Sequence, residues 1–169
     1  MAPVYLVDRP IASSPAAAEI LRGPLAQGKA EIGVQLHPWA NPPFEEEVTQ
    51  RNSFAGNLPA DLEKAKFCRL REAIETAFET APMIYRAGRY GVGRNTAPIL
   101  GNDGIAIDTS VRAKFDYSAA GGPDFRRHPL APYWLDDERT LLELPLTCVV
   151  WGLVRRDGIG PLAAQGQGD

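Results

Sequence analysis

The chain carries two histidines, His37 and His128, and the first stands where chemistry is expected. It follows a run over 31–36 in which Ile32, Val34 and Leu36 share one face, so it falls at the end of a strand. Asp8 closes a short apolar run over 4–7, and Asp108 closes another over 105–108. Arg86 ends a run over 83–86 and opens onto a glycine-rich loop, Gly88-Arg89-Tyr90-Gly91-Val92-Gly93. An imidazole, two carboxylates and a guanidinium at strand ends could ligate a metal, move a proton or hold an oxyanion. Each residue also has a plainer reading. His37 could bond to neighbouring loop backbone with Pro38 and Trp39 packed beside it. Arg86 could close the rim by an ion pair with Asp108 or Asp8. Asp108, in Asp108-Thr109-Ser110, has good turn chemistry. Trp39, Phe44, Tyr90 and Trp134 could stack on a sugar ring or simply pack. His128, inside a long loop, reads as a surface residue.

The elements that must position these residues alternate strand and helix. A strand over 4–7 is followed by Ser14-Pro15, which reads as an N-cap with proline in the first helical position. That helix runs through Ile20 and Leu21, and Gly23-Pro24 should bend or end it. After the strand over 31–36 comes an irregular stretch over 38–58, within which 45–50 could make a short helix. The clearest helix spans 59–80, with Leu62, Ala65, Phe67, Leu70, Ile74, Ala77 and Phe78 near one face. Charged residues, Glu63 and Lys66 among them, occupy much of the rest. A strand over 83–86, the glycine loop, a short helix near 96–100 and a strand over 105–108 follow. A long loop over 112–137 leads to a last strand over 141–150. Pro145 inside it argues for a strand end or an edge.

Strands separated by helices imply parallel βαβ units, whose chemistry sits in the loops after the strands' C-terminal ends. The glycine loop, between a strand and a helix, offers backbone amides and so a less favoured anion or nucleotide site. Its spacing fits neither common phosphate-loop pattern.

Composition narrows the function classes. With 44% apolar residues in 169, the chain can fill one core. Lys and Arg number 18 against 21 Asp and Glu, a net charge of −3, and no basic run suggests nucleic acid. Cys68 and Cys148 form neither a zinc knuckle nor a disulfide framework. No stretch is long and apolar enough for a membrane span, and the start lacks a signal peptide's features. The chain as given reads as cytoplasmic, with export open should its N-terminus be truncated. The domain is expected over 1–156, with a disordered tail over 157–169 rich in Gly, Gln and Ala.

Three segments in order carry a resemblance. They are Glu31-Ile32-Gly33-Val34-Gln35-Leu36-His37-Pro38-Trp39, then Tyr85-Arg86-Ala87-Gly88-Arg89-Tyr90-Gly91, then Leu142-Glu143-Leu144-Pro145-Leu146. With Asp108-Thr109-Ser110 and Asn57-Leu58-Pro59 between them, the chain resembles the polysaccharide deacetylase (NodB homology, carbohydrate esterase family 4-like) superfamily, in its WalW-type branch, from about Val4 to Val150. The resemblance implies a deformed β/α barrel with a divalent metal, usually zinc, at the strand C-termini. It implies hydrolysis of N- or O-acetyl groups on a carbohydrate substrate. It makes His37 the candidate metal ligand, has Arg86 orient the catalytic aspartate of the family, and lines the acyl pocket with Tyr90 and the backbone around Gly88. Asp108 stands beside these as a candidate catalytic carboxylate and Trp39 as a candidate substrate contact.

The chain departs from that pattern in three places. The strand bearing paired acidic residues has no counterpart before residues 4–7, so the expected fold is α/β, a partial deformed barrel lacking its first strand. Gln35 stands where a second histidine is expected, and amide oxygen is a poor zinc ligand. No late Leu-His motif follows Leu146. A missing strand would leave an exposed edge through which the chain could form a homodimer. The competing expectation to an enzyme is therefore a truncated, inactive remnant that binds glycans.

Overall fold

The computed structural model describes residues 2–147. Cys148, the end of the strand expected over 141–150 and the tail from 157 lie outside the described residues. Six strands form one sheet: β1 (Val4–Val7), β2 (Glu31–Leu36), β3 (Ile84–Ala87), β4 (Ile107–Asp108), β5 (Tyr133–Trp134) and β6 (Leu142–Glu143). Their spatial order is β1-β2-β3-β4-β6-β5. All neighbours are parallel except the outermost pair, β5 and β6. The helices are α1 (Arg9–Ala12), α2 (Pro15–Ala26), α3 (Ala60–Phe78) and α4 (Thr96–Asn102). The result is a mixed α/β fold with a mostly parallel sheet whose two edges, β1 and β5, are not paired with each other.

Local signals explain most of these elements. Asp8 and Ser14 cap α1 and α2 by accepting from the amides of Ile11 and Ala17. Pro15 then takes the first helical position, where its missing N–H costs nothing. Pro24 does not end α2, which continues to Ala26. So near the C-terminus the helix forfeits little by losing one amide, and only two residues follow the proline. The expected short helix at 45–50 does not form, and residues 43–49 are irregular with a single bend. β6 stops at Glu143, two residues before Pro145.

Registry across the sheet fixes which residues share a face. Val7 pairs with Val34, Val34 with Tyr85, Tyr85 with Asp108, Asp108 with Glu143, and Glu143 with Tyr133. That row lies on the core side, where Val34, Leu36, Phe67, Leu70, Ile74 and Tyr85 are almost fully buried. The Phe67 ring on α3 meets the Tyr85 ring edge-on at 5.9 Å. Gln35 and Arg86, also paired, have the opposite parity and point to the other face.

Two charged positions of α3 are not on a solvated face. Lys66 is fully buried, and its ammonium donates to the carbonyl oxygens of Pro38 (3.0 Å), Asn41 (2.7 Å) and Pro43 (2.5 Å). The Glu46 carboxylate neutralises it at 3.0 Å. Asn41 completes the tie by donating to the Lys66 carbonyl. Glu63 is buried as well, and its Oε1 accepts from Thr96 Oγ1 at 2.5 Å, joining α3 to the start of α4. Both positions face the rest of the fold because the 38–58 segment and the glycine loop fold over this end of the helix.

Lys66→Met should remove the charge and strand Glu46 with three carbonyl oxygens. The expected loss is about 3–5 kcal/mol in urea unfolding, as for a broken buried ion pair. Lys66→Arg should recover little of it, because a planar fork does not match three converging carbonyls.

Candidate rim site at the strand ends

Asp8 and His37, the residues just after β1 and β2, and Arg86, near the end of β3, lie toward one end of the sheet. His37 directly follows β2 and opens a 3₁₀ turn, Pro38–Ala40. That turn is held by the Lys66 ammonium, so the buried cation also fixes the backbone just past His37. The His37 ring lies against Trp39, with centroids 4.7 Å apart, and Trp39 keeps 41% of its surface exposed. His37 Nδ1 is buried and without a hydrogen-bond partner among the described residues. Loop backbone does not satisfy that nitrogen, contrary to the plain alternative. Burial lowers the imidazole pKa and the nearby Asp8 charge opposes that shift, leaving a ring that is mostly neutral near pH 7.

Gly88 is required by this arrangement. A Cβ there would stand 2.4 Å from His37 Nδ1 and 2.6 Å from the Leu36 carbonyl oxygen. Arg86 is half-buried beside Gln35, and its Nε donates to Thr109 Oγ1 at 2.7 Å and to the Thr109 carbonyl at 3.2 Å. Among the described residues it makes no ion pair with Asp8 or Asp108. Arg86 and Asp108 point to opposite faces, so the guanidinium does not orient that carboxylate by direct contact.

Asp108 instead belongs to a buried acid row. It is 3% exposed, and one carboxylate oxygen accepts from the Ser110 amide at 2.9 Å and from the Ser110 hydroxyl. Ser110 Oγ in turn accepts from the Ala87 amide at 2.8 Å, which locks β4's end to β3. Next to Asp108 stands Glu143, 1% exposed, whose Oε1 accepts from the Val111 amide while its Oε2 has no partner. Burial is the first cause that raises both pKa values well above the usual carboxylate range. The Asp108 charge adds to it for Glu143, and hydrogen bonds from Ser110 hold Asp108 back. The pair therefore keeps protons near neutral pH. Tyr133, opposite Glu143 on β5, is pushed up to about 12 by burial and by these carboxylates, and its hydroxyl lies 2.9 Å from His128 Nδ1. His128 is thus half-buried between Phe125 and Tyr133 rather than a free surface residue.

Tyr90 is stacked on Tyr117 at 5.9 Å and sits in a small satellite core with Val111, Ala113 and Phe125. Phe44 is exposed over the Lys66 ammonium and Trp134 is exposed on β5. The glycine loop uses its glycines for packing. A Cβ on Gly93 would meet Gly56 backbone at 2.3 Å, and one on Gly91 would meet Phe54 at 2.6 Å. Its amides at 91, 92, 93 and 96 are all donated within the loop, to the Gly88, Tyr90 and Gly93 carbonyls and to Thr96 Oγ1.

Sequence reasoning quoted Glu143, Thr109 and Ser110 as motif residues without giving them a place in the site, and it missed the Tyr133–His128 pair. A lone acid between Leu142 and Leu144 was the available signal for Glu143. The others become visible only through strand registry. The described residues do not by themselves assemble a zinc site. Among the described residues no three of His, Cys, Asp and Glu converge as a metal would need, and His37 stands beside Gln35 rather than a second imidazole.

No protein-family profile matches the chain, and no curated protein matches it. Among solved structures, a protein from Mycobacterium smegmatis described as a "putative polysaccharide deacetylase" is similar over 95% of this chain, with a TM-score of 0.55 and 19% identity. The chain spans about half of that protein's length, 47%. At that identity the likeness shows the fold alone, a mixed α/β fold with a mostly parallel sheet. No helix among the described residues is long and apolar enough to cross a membrane.

Gly88→Ala should force the His37 ring or the Leu36 carbonyl to move, costing about 1–3 kcal/mol by thermal unfolding. It should also shift the His37 ring resonances in NMR spectra. Because Asp108, Glu143 and Glu63 (pushed up to about 7 by burial) all have folded pKa values above their unfolded ones, they oppose folding once ionised. Stability should therefore fall as pH rises from the ordinary carboxylate range through neutral. Urea midpoints measured against pH should decline less steeply for Glu143→Gln than for the parent chain.

Proposed function

We propose that the chain is a polysaccharide deacetylase-like protein that takes an acetylated carbohydrate at the rim formed by His37, Trp39, Gln35 and Arg86. Its reaction would be hydrolysis of an N- or O-acetyl group, on a partial deformed β/α barrel of that superfamily's kind. The observation that carries the reading is the half-exposed polar rim at the C-terminal ends of β1–β3, on a sheet similar to that of the Mycobacterium smegmatis protein along 95% of the chain. The WalW-type motifs around His37 and Arg86 support it.

Each rim group has work suited to its chemistry. The exposed Trp39 ring can stack on the apolar face of a sugar. Gln35 and the guanidinium of Arg86 can donate to hydroxyl or acyl oxygens. A mostly neutral His37 can accept a proton from water as the acyl carbon is attacked. Metal dependence, with zinc, belongs to the reading by resemblance alone, because His37 is a single donor. Pairing of two chains along the β1 edge, where Val4 and Tyr5 are exposed, belongs to it as well.

A second reading, glycan binding without turnover on the same fold, is favoured by the lack of converging metal donors among the described residues. One experiment separates the two. The full chain is incubated with N-acetylglucosamine oligomers, with and without zinc, and released acetate is quantified beside calorimetric binding. Acetate release that His37→Ala lowers at least a hundredfold supports hydrolysis. Saturable binding that Trp39→Ala weakens about tenfold, with no acetate, supports the second reading. Neither signal, in both zinc conditions, overturns the carbohydrate assignment.

A further inference from the structure

A cleft lies away from the rim, on the outer surface of the helices. It is an open groove of about 610 Å³ between α1, α2 and α3. That volume lies in the range of small-molecule sites. Three arginines line it, Arg9, Arg22 and Arg69, with Glu72 as the one carboxylate. Small side chains, Ala12, Ala18, Ala73 and Ala77, leave the floor open.

The arginines are held without being neutralised. Arg22 donates through Nε (2.9 Å) and Nη2 (2.7 Å) to the Ala77 carbonyl. Arg9 Nη1 donates to the Arg69 carbonyl at 3.2 Å. Among the described residues none of the three takes part in an ion pair. A carbonyl partner fixes a guanidinium's direction but leaves its charge, and each of these two keeps N–H groups free for a ligand. In a chain of net charge −3, three cations against one carboxylate on one small concave surface make a local field of the opposite sign. The start of the 12-residue α2, at Ser14 and Pro15, opens into the same groove and adds the positive end of its dipole.

We propose that this groove binds a small ligand bearing an oxyanion, a phosphate ester or a sugar carboxylate, through Arg9, Arg22 and Arg69. Both sources share the chemistry that recognises them: charge-assisted hydrogen bonds from forked guanidinium groups. The groove is wider than a bare phosphate needs, so the body of the ligand lies on the alanine floor. The site does not depend on the rim, and its success or failure leaves the carbohydrate reading of the rim untouched.

The test is titration of the ¹⁵N-labelled full chain with glucose 6-phosphate, glucuronate, inorganic phosphate and glucose. Saturable shifts confined to residues 9–22 and 69–77, with glucose silent, are expected. A stronger response to glucose 6-phosphate identifies a phosphate ester, and one to glucuronate identifies a carboxylate. Arg69→Ala, at an exposed side chain outside the hydrogen-bond framework, should weaken binding at least tenfold with the spectrum elsewhere unchanged. Glu72→Gln should tighten it severalfold. Absence of saturable shifts with all three anions, or equal affinity in Arg69→Ala, would overturn the proposal.

Discussion

A single ammonium sets the position of the 38–46 segment. Lys66 Nζ lies at full burial on α3, and the carbonyls of Pro38, Asn41 and Pro43 converge on it together with the Glu46 carboxylate. A buried cation must satisfy its three N–H groups and its charge at once, and only a chain that doubles back on itself can supply that many acceptors. The loop after β2 therefore has one arrangement and cannot drift over the sheet end. His37 and Trp39, on either side of Pro38, inherit that arrangement, and with it their contact.

The other half of the rim is fixed by hydrogen bonds across strands. Ser110 joins the Asp108 carboxylate to the Ala87 amide, and Thr109 holds the Arg86 guanidinium. Alternation along β4 sends these neighbours to opposite faces. Asp108 goes under the helices with Glu143, and Thr109 goes with Arg86. The buried acids hold their protons to higher pH than usual because burial outweighs the hydrogen-bond donors at Ser110 and Val111 and the opposing charge of Arg86. This is a costly arrangement for a structural element. It makes the β4–β6 end of the sheet sensitive to pH while the β1–β3 end carries the accessible polar groups.

Close approach of backbones explains the glycines that looked like a phosphate loop. Gly56 and Gly93 lie where a Cβ on either would meet the other's backbone, and Gly91 faces Phe54 in the same way. The 3₁₀ turn Ala55–Asn57 and the loop after β3 are thereby pressed together, with the Gly56 amide donating to the Gly91 carbonyl. These glycines are used for close packing of the two loops. Net positive charge collects on the far side of the helices, in the groove between α2 and α3.

The sequence alone determined the elements whose signals are local. The alternation of Ile32, Val34 and Leu36, the Ser14-Pro15 start of α2 and the apolar stripe of α3 each depend on residues a few positions apart, so they read directly. The placement of His37, Arg86 and Asp108 at strand ends followed for the same reason. Tertiary structure decided the rest. It buried Glu63 and Lys66 on a helix where charge implied solvent, because distant loops close over that end. It set Arg86 and Asp108 on opposite faces, because registry between strands is a non-local choice that one residue's shift reverses. It brought Glu143, Tyr133 and His128 together from a loop and two strands whose pairing no local pattern encodes. Which residues meet across the sheet is fixed by the packing of the whole core, and that information is spread over the entire chain.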